Sequence, residues 1–138
     1  MWNLKRKKFR EKILEKLHKE GFNAFYMGED IPEIIAWQPF RNSTGNLIKI
    51  SGVKTNSKKQ FKDFVCFAVI GIILKKDNKD NLLVSKELLE KGVLTSIIFA
   101  EEKNGQILFK EFGPVGGKDG RVINPKYVGW YGVSWFLT

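Results

Sequence analysis

The sequence predicts an α/β or α+β protein with a mixed central β-sheet flanked by helices. Its 138 residues, 43% of them apolar, are enough to build one packed core. A basic amphipathic segment is followed by three short segments typical of strands, and a second helix precedes a terminal hairpin. Because helices interrupt the strands, the sheet is expected to combine parallel and antiparallel pairs. We expect one domain over residues 1–138, with its core at about 4–112.

Residues 4–20 have the pattern of an amphipathic helix. Phe9, Ile13, Leu14 and Leu17 follow the spacing of a single buried face. Gly21 stands where a helix end often needs a left-handed residue. The first 20 residues contain eight Lys or Arg and three Glu, so the outer face of this helix is expected to be strongly positive.

Three predicted strands follow the helix. They cover residues 22–27, 33–37 and 47–53, and each is rich in aromatic or β-branched residues. The turns between them contain Gly28-Glu29-Asp30 and the polar residues 41–45. A basic segment, residues 54–62, comes after the third strand.

The apolar run over residues 64–74 suits either a buried strand or a buried helix, because its β-branched content favours the first and its length permits the second. A charged loop is predicted over residues 75–81. Ser85 is then expected to cap a short helix that continues to Lys91.

The last predicted elements are a hairpin and a tail. The hairpin pairs residues 95–100 with 106–112 across the connection 101–105, in which Asn104-Gly105 is the turn signal. A Gly-rich loop, residues 113–120, leads into an aromatic tail that ends at residue 138.

Charge is the main indication of a partner. The chain has 24 Lys plus Arg and 15 Asp plus Glu, a formal net charge of +9. This favours polyanionic partners, of which nucleic acid is the commonest. An anionic membrane surface is the chief competitor, and a lysine-rich surface without a binding role is the plain alternative.

Cysteine and histidine usage excludes several classes of site. Cys66 is the only cysteine, so an internal disulfide and a cysteine-based zinc site are excluded, and His18 alone cannot build a His-rich metal site. A single cysteine favours a reducing compartment, and the longest apolar run is too short to span a bilayer. We expect a cytoplasmic protein that does not insert in membranes.

Four short motifs, taken in order, resemble a known family. They are Phe9-Arg10-Glu11-Lys12-Ile13-Leu14, then Lys19-Glu20-Gly21-Phe22, then Ile31-Pro32-Glu33-Ile34-Ile35-Ala36, and the strand that ends in Gly52-Val53-Lys54-Thr55. This order resembles the PD-(D/E)xK nucleases, and among them the archaeal Holliday-junction resolvases. The resemblance covers roughly residues 5–60 and implies a restriction-endonuclease-like fold.

The resemblance implies a set of site residues. Glu11, Glu33 and Lys54 would be catalytic, with Glu11 and Glu33 holding Mg²⁺ or Mn²⁺. Two positions depart from the family pattern: Glu33 replaces an aspartate, and Gly52 stands where a second carboxylate is expected. Asp63 and Glu87 are the nearby candidates for the missing acid. The basic residues expected to hold the nucleic-acid backbone are Lys5, Arg6, Lys7, Lys8, Arg10, Lys58, Lys59 and Lys62.

Three functions remain open from the sequence. The first is a nucleic-acid-binding protein on the nuclease-like scaffold, either a metal-dependent DNA endonuclease or a weakened relative of one. The second is a non-enzymatic accessory subunit that binds DNA or RNA, which Gly52 favours. The third is a protein-interaction domain whose charge is incidental. The resemblance implies DNA rather than RNA as the partner, and it also implies a homodimer.

Overall fold

The computed structural model describes residues 2–29, 31–54, 61–74, 79–112 and 121–135, with the side chains of 2–3, 50–54, 61–64 and 79–80 left out. Within these residues the chain forms two α-helices, eight strands and one short 3₁₀ helix. In chain order the elements are α1 Trp2–Lys19, β1 Asn23–Tyr26, β2 Ile34–Pro39, β3 Lys49–Lys54, β4 Phe61–Val65, β5 Phe67–Ile73, α2 Lys79–Glu90, β6 Ser96–Lys103, β7 Gln106–Glu111, β8 Val122–Ile123 and the 3₁₀ helix Pro125–Tyr127.

Helix α1 forms where its apolar spacing predicts. Ile13 and Leu17, one turn apart, are completely buried, and Phe9 and Leu14 pack beside them. Gly21 follows the helix with a φ of 93°, the left-handed conformation that glycine adopts without steric cost. One face of α1 is therefore held against the sheet, and its other faces are free to carry charge.

The central sheet has six strands in the order β1-β2-β5-β6-β7-β8. Neighbouring strands are antiparallel except β5 and β6, which run parallel with Gly71 opposite Ile97. A parallel pair needs a crossover connection, and α2 supplies it between β5 and β6. The fold is thus α+β with a mixed sheet, which confirms the predicted class.

Helices cover the two faces of the sheet. Alternate residues of β5 point in opposite directions, so that Ile70 and Ile72 pack in the cluster that contains Ile13 and Leu17 of α1. Ile73 packs in the other cluster, with Leu88 of α2. The sheet therefore lies between α1 and α2.

Strands β3 and β4 form a separate two-stranded antiparallel sheet, here called the ribbon. The predicted third strand therefore exists, but it does not belong to the central sheet. The segment that contains the ribbon leaves the central sheet after Pro39, at the end of β2, and returns to it at Phe67, at the start of β5. Pro39 and Phe67 are paired with each other. The ribbon is an insertion at that end of the sheet.

The run 64–74 is neither one strand nor a helix. It belongs to two strands, the end of β4 and the whole of β5, with Cys66 between them. The high content of β-branched residues decided in favour of strands.

The predicted start of α2 is wrong. Ser85 does not cap the helix but lies inside it, where its buried hydroxyl donates a hydrogen bond of 2.8 Å to the Asn81 carbonyl oxygen one turn earlier. A serine that satisfies its hydroxyl in this way can occupy a helix interior, so its capping preference was misleading. The helix already includes residues 79–81, which were expected to belong to a loop.

The hairpin is confirmed, and the tail holds a strand that was not predicted. Asn104 and Gly105 have φ values of 53° and 77°, as a two-residue hairpin turn of the favoured type requires. Strand β8, Val122–Ile123, adds an edge strand beside β7. The predicted loop 113–120 lies outside the described residues. Neither helix in the described stretches has the length and apolarity that crossing a bilayer requires.

Candidate nucleic-acid interface

Five lysines of α1 lie along one flank of the helix. Because an α-helix turns by about 100° per residue, these lysines fall within roughly 80° of arc and extend over about 21 Å of helix length. All are outside the buried face that Ile13 and Leu17 define. This lysine stripe consists of Lys5, Lys8, Lys12, Lys16 and Lys19.

The lysine stripe borders two cavities. One, of about 620 Å³, lies between Lys12, Lys16 and Lys19 and the β6–β7 turn at Gly105 and Gln106. The other, of about 510 Å³, continues toward the start of α1 and is lined by Lys5 and Lys8 together with Leu74 and Glu102. Both are lined by Lys12, and we call the two cavities together the lysine groove.

Two carboxylates offset part of the charge in the lysine groove. Lys12 lies 3.7 Å from Glu102, and Lys19 lies 3.7 Å from Glu15. Both pairs are exposed, and exposed pairs contribute little to stability. Among the described residues, no carboxylate lies within ion-pair distance of Lys5, Lys8 or Lys16. These three lysines remain available to an anionic ligand.

The lysine groove is at the end of the sheet where ligands of α/β proteins usually bind. The parallel strands β5 and β6 both end there, close to Leu74 and Glu102. In open α/β sheets, the crevice outside the carboxyl ends of the strands is the common position of a binding site. The position of the groove in the fold therefore agrees with its charge.

A second basic cavity lies on the opposite flank of α1. It has a volume of about 350 Å³ and is lined by Arg6, Lys7, Arg10 and Glu29. The guanidinium of Arg10 lies 3.7 Å from the centre of the Tyr26 ring, in cation–π contact. We call this cavity, with Tyr26 beside it, the arginine pocket. Arg6 lines both this pocket and the lysine groove.

Arg6 and Glu33 form a buried ion pair below the first turns of α1. The Glu33 side chain is fully buried and that of Arg6 is only 12% exposed. Burial raises the pKa of the Glu33 carboxyl, whereas the Arg6 guanidinium and the nearby Leu74 amide lower it. This pair ties α1 to the start of β2.

The described contacts do not bring the three predicted catalytic residues together. Glu11 is exposed and lies about 140° around α1 from Arg6, so it points away from Glu33. Lys54 ends β3, at the end of the ribbon away from the central sheet, and the ribbon leaves the sheet at the opposite end of β2 from Glu33. The side chain of Lys54 is outside the described part, and the convergence of the three stays a prediction.

The predicted metal ligands are Glu11 and Glu33, with nearby acids as candidates to replace a missing ligand. Within the described ranges, no three His, Cys, Asp or Glu side chains form a group that could hold a metal ion. Glu33 is committed to Arg6, and the candidate substitute Glu87 lies on α2, paired with Lys91 at 3.0 Å. The described residues thus do not fit a divalent cation.

The predicted phosphate-binding residues of α1 are divided between the lysine groove and the arginine pocket. Lys5 and Lys8 are in the lysine groove, and Lys7 and Arg10 line the arginine pocket. Arg6, expected to point outward, is instead tied to Glu33. Lys58 and Lys59, and the side chains of Lys62 and Asp63, lie outside the described residues.

Sequence reasoning missed three of the five lysines of the stripe. Lys12, Lys16 and Lys19 continue the three- and four-residue spacing that begins at Lys5 and Lys8, and this periodicity was visible in the sequence. This spacing predicts a nucleic-acid interface that extends along the whole of α1. No pattern in the sequence indicated that the β6–β7 turn would line the same cavity as these lysines.

Comparison of this chain with protein-family models, with curated proteins and with solved structures finds no match. The interpretation of the site therefore depends on its own geometry and charge.

Proposed function

We propose that this protein binds nucleic acid, DNA in preference to RNA, by placing a phosphate backbone in the lysine groove. The observation that carries the proposal is the alignment of five lysines along about 21 Å of α1. A rigid helix holds these charges at fixed spacing, and the cavities beside them leave room for a polyanion. The preference for DNA is supported by the resemblance to DNA nucleases.

The physical basis of the proposed binding is the release of counterions. Each lysine that neutralises a phosphate frees a condensed cation into solution, so affinity falls steeply as salt concentration rises. Lys8 and Lys16 are the best candidates for such contacts, because neither is paired with a described carboxylate. They also lie about two turns apart, so that one backbone can reach both.

Replacing Lys8 and Lys16 by alanine is expected to weaken duplex binding by roughly tenfold or more at moderate salt, since two phosphate contacts are lost. Fluorescence anisotropy with a labelled duplex measures the affinity. The matched control is Lys86→Ala with Lys91→Ala, two exposed lysines on the α2 side of the sheet, the first in α2 and the second directly after it. Equal affinity losses in both double variants would show that only net charge matters, and would contradict the proposal.

Cleavage of DNA is a second candidate function. It is supported by the family resemblance alone, since Glu33 is buried against Arg6 in the described structure. Incubation of supercoiled plasmid with the protein and Mg²⁺ or Mn²⁺ tests it. Nicking that is lost in Lys54→Ala would support an endonuclease, and binding without nicking would leave an accessory, non-enzymatic role.

Two further expectations belong to the same proposal. A homodimer would let two lysine grooves act on one nucleic acid, and sedimentation equilibrium would measure the mass of the assembly. A cytoplasmic location agrees with the single cysteine, Cys66, because a reducing compartment needs no disulfides.

A further inference from the structure

The arginine pocket is not explained by a duplex in the lysine groove. Lys7 and Arg10 lie on the opposite flank of α1 from the lysine stripe, so one duplex backbone along the stripe does not reach them. The pocket nevertheless places Lys7 and Arg10 beside a single carboxylate, that of Glu29, while its third cation, Arg6, is paired with Glu33. Its charge favours a phosphate that is separate from those in the groove.

An aromatic ring stands beside these cations. Tyr26 is 37% exposed at the end of β1, an edge strand of the central sheet. The Arg10 guanidinium lies over one face of this ring, 3.7 Å from its centre, and both groups are planar. Flat aromatic and guanidinium surfaces of this kind stack with unpaired bases, whatever the base.

The pocket has the size and composition for one nucleotide. Its volume of about 350 Å³ is at the small end of ligand sites, and it places cations next to a stacking surface. A nucleotide likewise carries a phosphate, which the cations would bind, next to a flat base, which the stacking surface would hold. Bases inside a duplex are already stacked on each other, so only an unpaired nucleotide can use this surface.

We propose that the arginine pocket binds an unpaired nucleotide of a strand whose duplex part lies in the lysine groove. Arg6 lines both surfaces, so both lie beside the first turns of α1. Helix α1 then stands between the duplex and the unpaired strand. This inference depends on the proposed function and adds a substrate class: duplexes that carry a single-stranded extension.

The test compares a blunt duplex with the same duplex carrying a short single-stranded extension. We expect the extended duplex to bind roughly tenfold more tightly, the usual contribution of one stacked base. A fluorescent adenine analogue at the first unpaired position is expected to be quenched on binding. Tyr26→Leu should abolish both effects and leave the affinity for blunt duplex unchanged.

Phe25→Leu is the matched control for the ring. Phe25 is the preceding residue on β1 and is 52% exposed, but it points to the other face of the sheet and packs against Trp37. Its replacement should leave the preference for the extension intact. Arg10→Lys keeps the charge and removes the planar group, so it should reduce the preference without changing the salt dependence.

The two proposals fail in different ways. Salt-dependent binding of both duplexes with equal affinity, unchanged in Tyr26→Leu, would overturn the nucleotide subsite and leave the proposed function standing. Absence of binding to either duplex at low salt would overturn the proposed function itself.

Discussion

At the scale of single residues, the pair of Arg6 and Glu33 decides how α1 meets the sheet. Both side chains are largely removed from water, and each would be costly to bury alone. The charge of Arg6 is thereby used inside the protein, although its neighbours Lys5 and Lys7 face solvent. The pair holds the beginning of the helix where both basic cavities converge.

Arg6→Met is expected to lower the free energy of unfolding at neutral pH by about 3 kcal/mol, because it leaves a carboxylate buried without its partner. Urea denaturation measures this change. The double variant Arg6→Met with Glu33→Leu should recover most of the loss, since it buries neither charge. A double variant as unstable as Arg6→Met alone would show that the pair does not act as a unit.

The stability of Arg6→Met should also depend on pH. Burial already raises the pKa of Glu33, and loss of the guanidinium removes its main opposing influence. Between the ordinary and the raised pKa, the folded protein retains a proton that the unfolded chain releases. The free energy of unfolding therefore falls as pH rises through this window and recovers as pH is lowered toward the ordinary value. A pH series of denaturation curves that lacks this recovery would contradict the assignment.

At the scale of secondary-structure elements, strand β5 is the centre of the fold. It pairs with β2 on one side and β6 on the other, and both faces are covered. Gly71 lies in its middle, where Leu94 and Pro32 approach the backbone closely. The absence of a side chain at this position lets the strand pack under these two residues.

Gly71→Ala is expected to destabilise the protein by about 1–3 kcal/mol through overpacking. The added Cβ would lie 2.9 Å from Leu94 Cδ1 and 3.1 Å from Pro32 Cβ, and the proline ring has little freedom to move. A lower midpoint of urea unfolding with an unchanged slope is the expected result. A midpoint equal to that of the wild type would mean that the packing around β5 is looser than described.

Helix α1 shows how one element serves two purposes. Its buried residues recur every three or four positions, and so do the five lysines on the adjacent flank. Because the helix is anchored through Ile13 and Leu17, the lysines are held in a fixed row rather than on a flexible tail. Fixed charges lose less conformational freedom when a ligand binds them.

At the scale of the whole molecule, charge is the dominant property. The net charge of +9 attracts any polyanion at long range, whatever the details of the fold. The described structure concentrates much of this charge around one helix, at the carboxyl ends of the parallel strands. Attraction by the whole chain and binding by one groove are therefore separable properties.

The salt dependence of binding distinguishes phosphate contacts in the lysine groove from long-range attraction by the net charge. If the five lysines of the stripe contact phosphates, the logarithm of the binding constant should fall against the logarithm of salt concentration with a slope of about −4 to −5. Titrations of duplex DNA at several salt concentrations measure the slope. A slope near zero would mean that phosphate contacts do not drive binding.

The sequence by itself determined the fold class, α1 with its buried and basic faces, and the Asn104-Gly105 hairpin. These features depend on local periodicity and turn chemistry, which a single chain displays directly. Only the tertiary structure placed β3 outside the central sheet, paired Arg6 with Glu33 and brought the β6–β7 turn beside the lysines. Each of these depends on contacts between residues distant in sequence, and no local pattern encodes which strand or charge will become the neighbour.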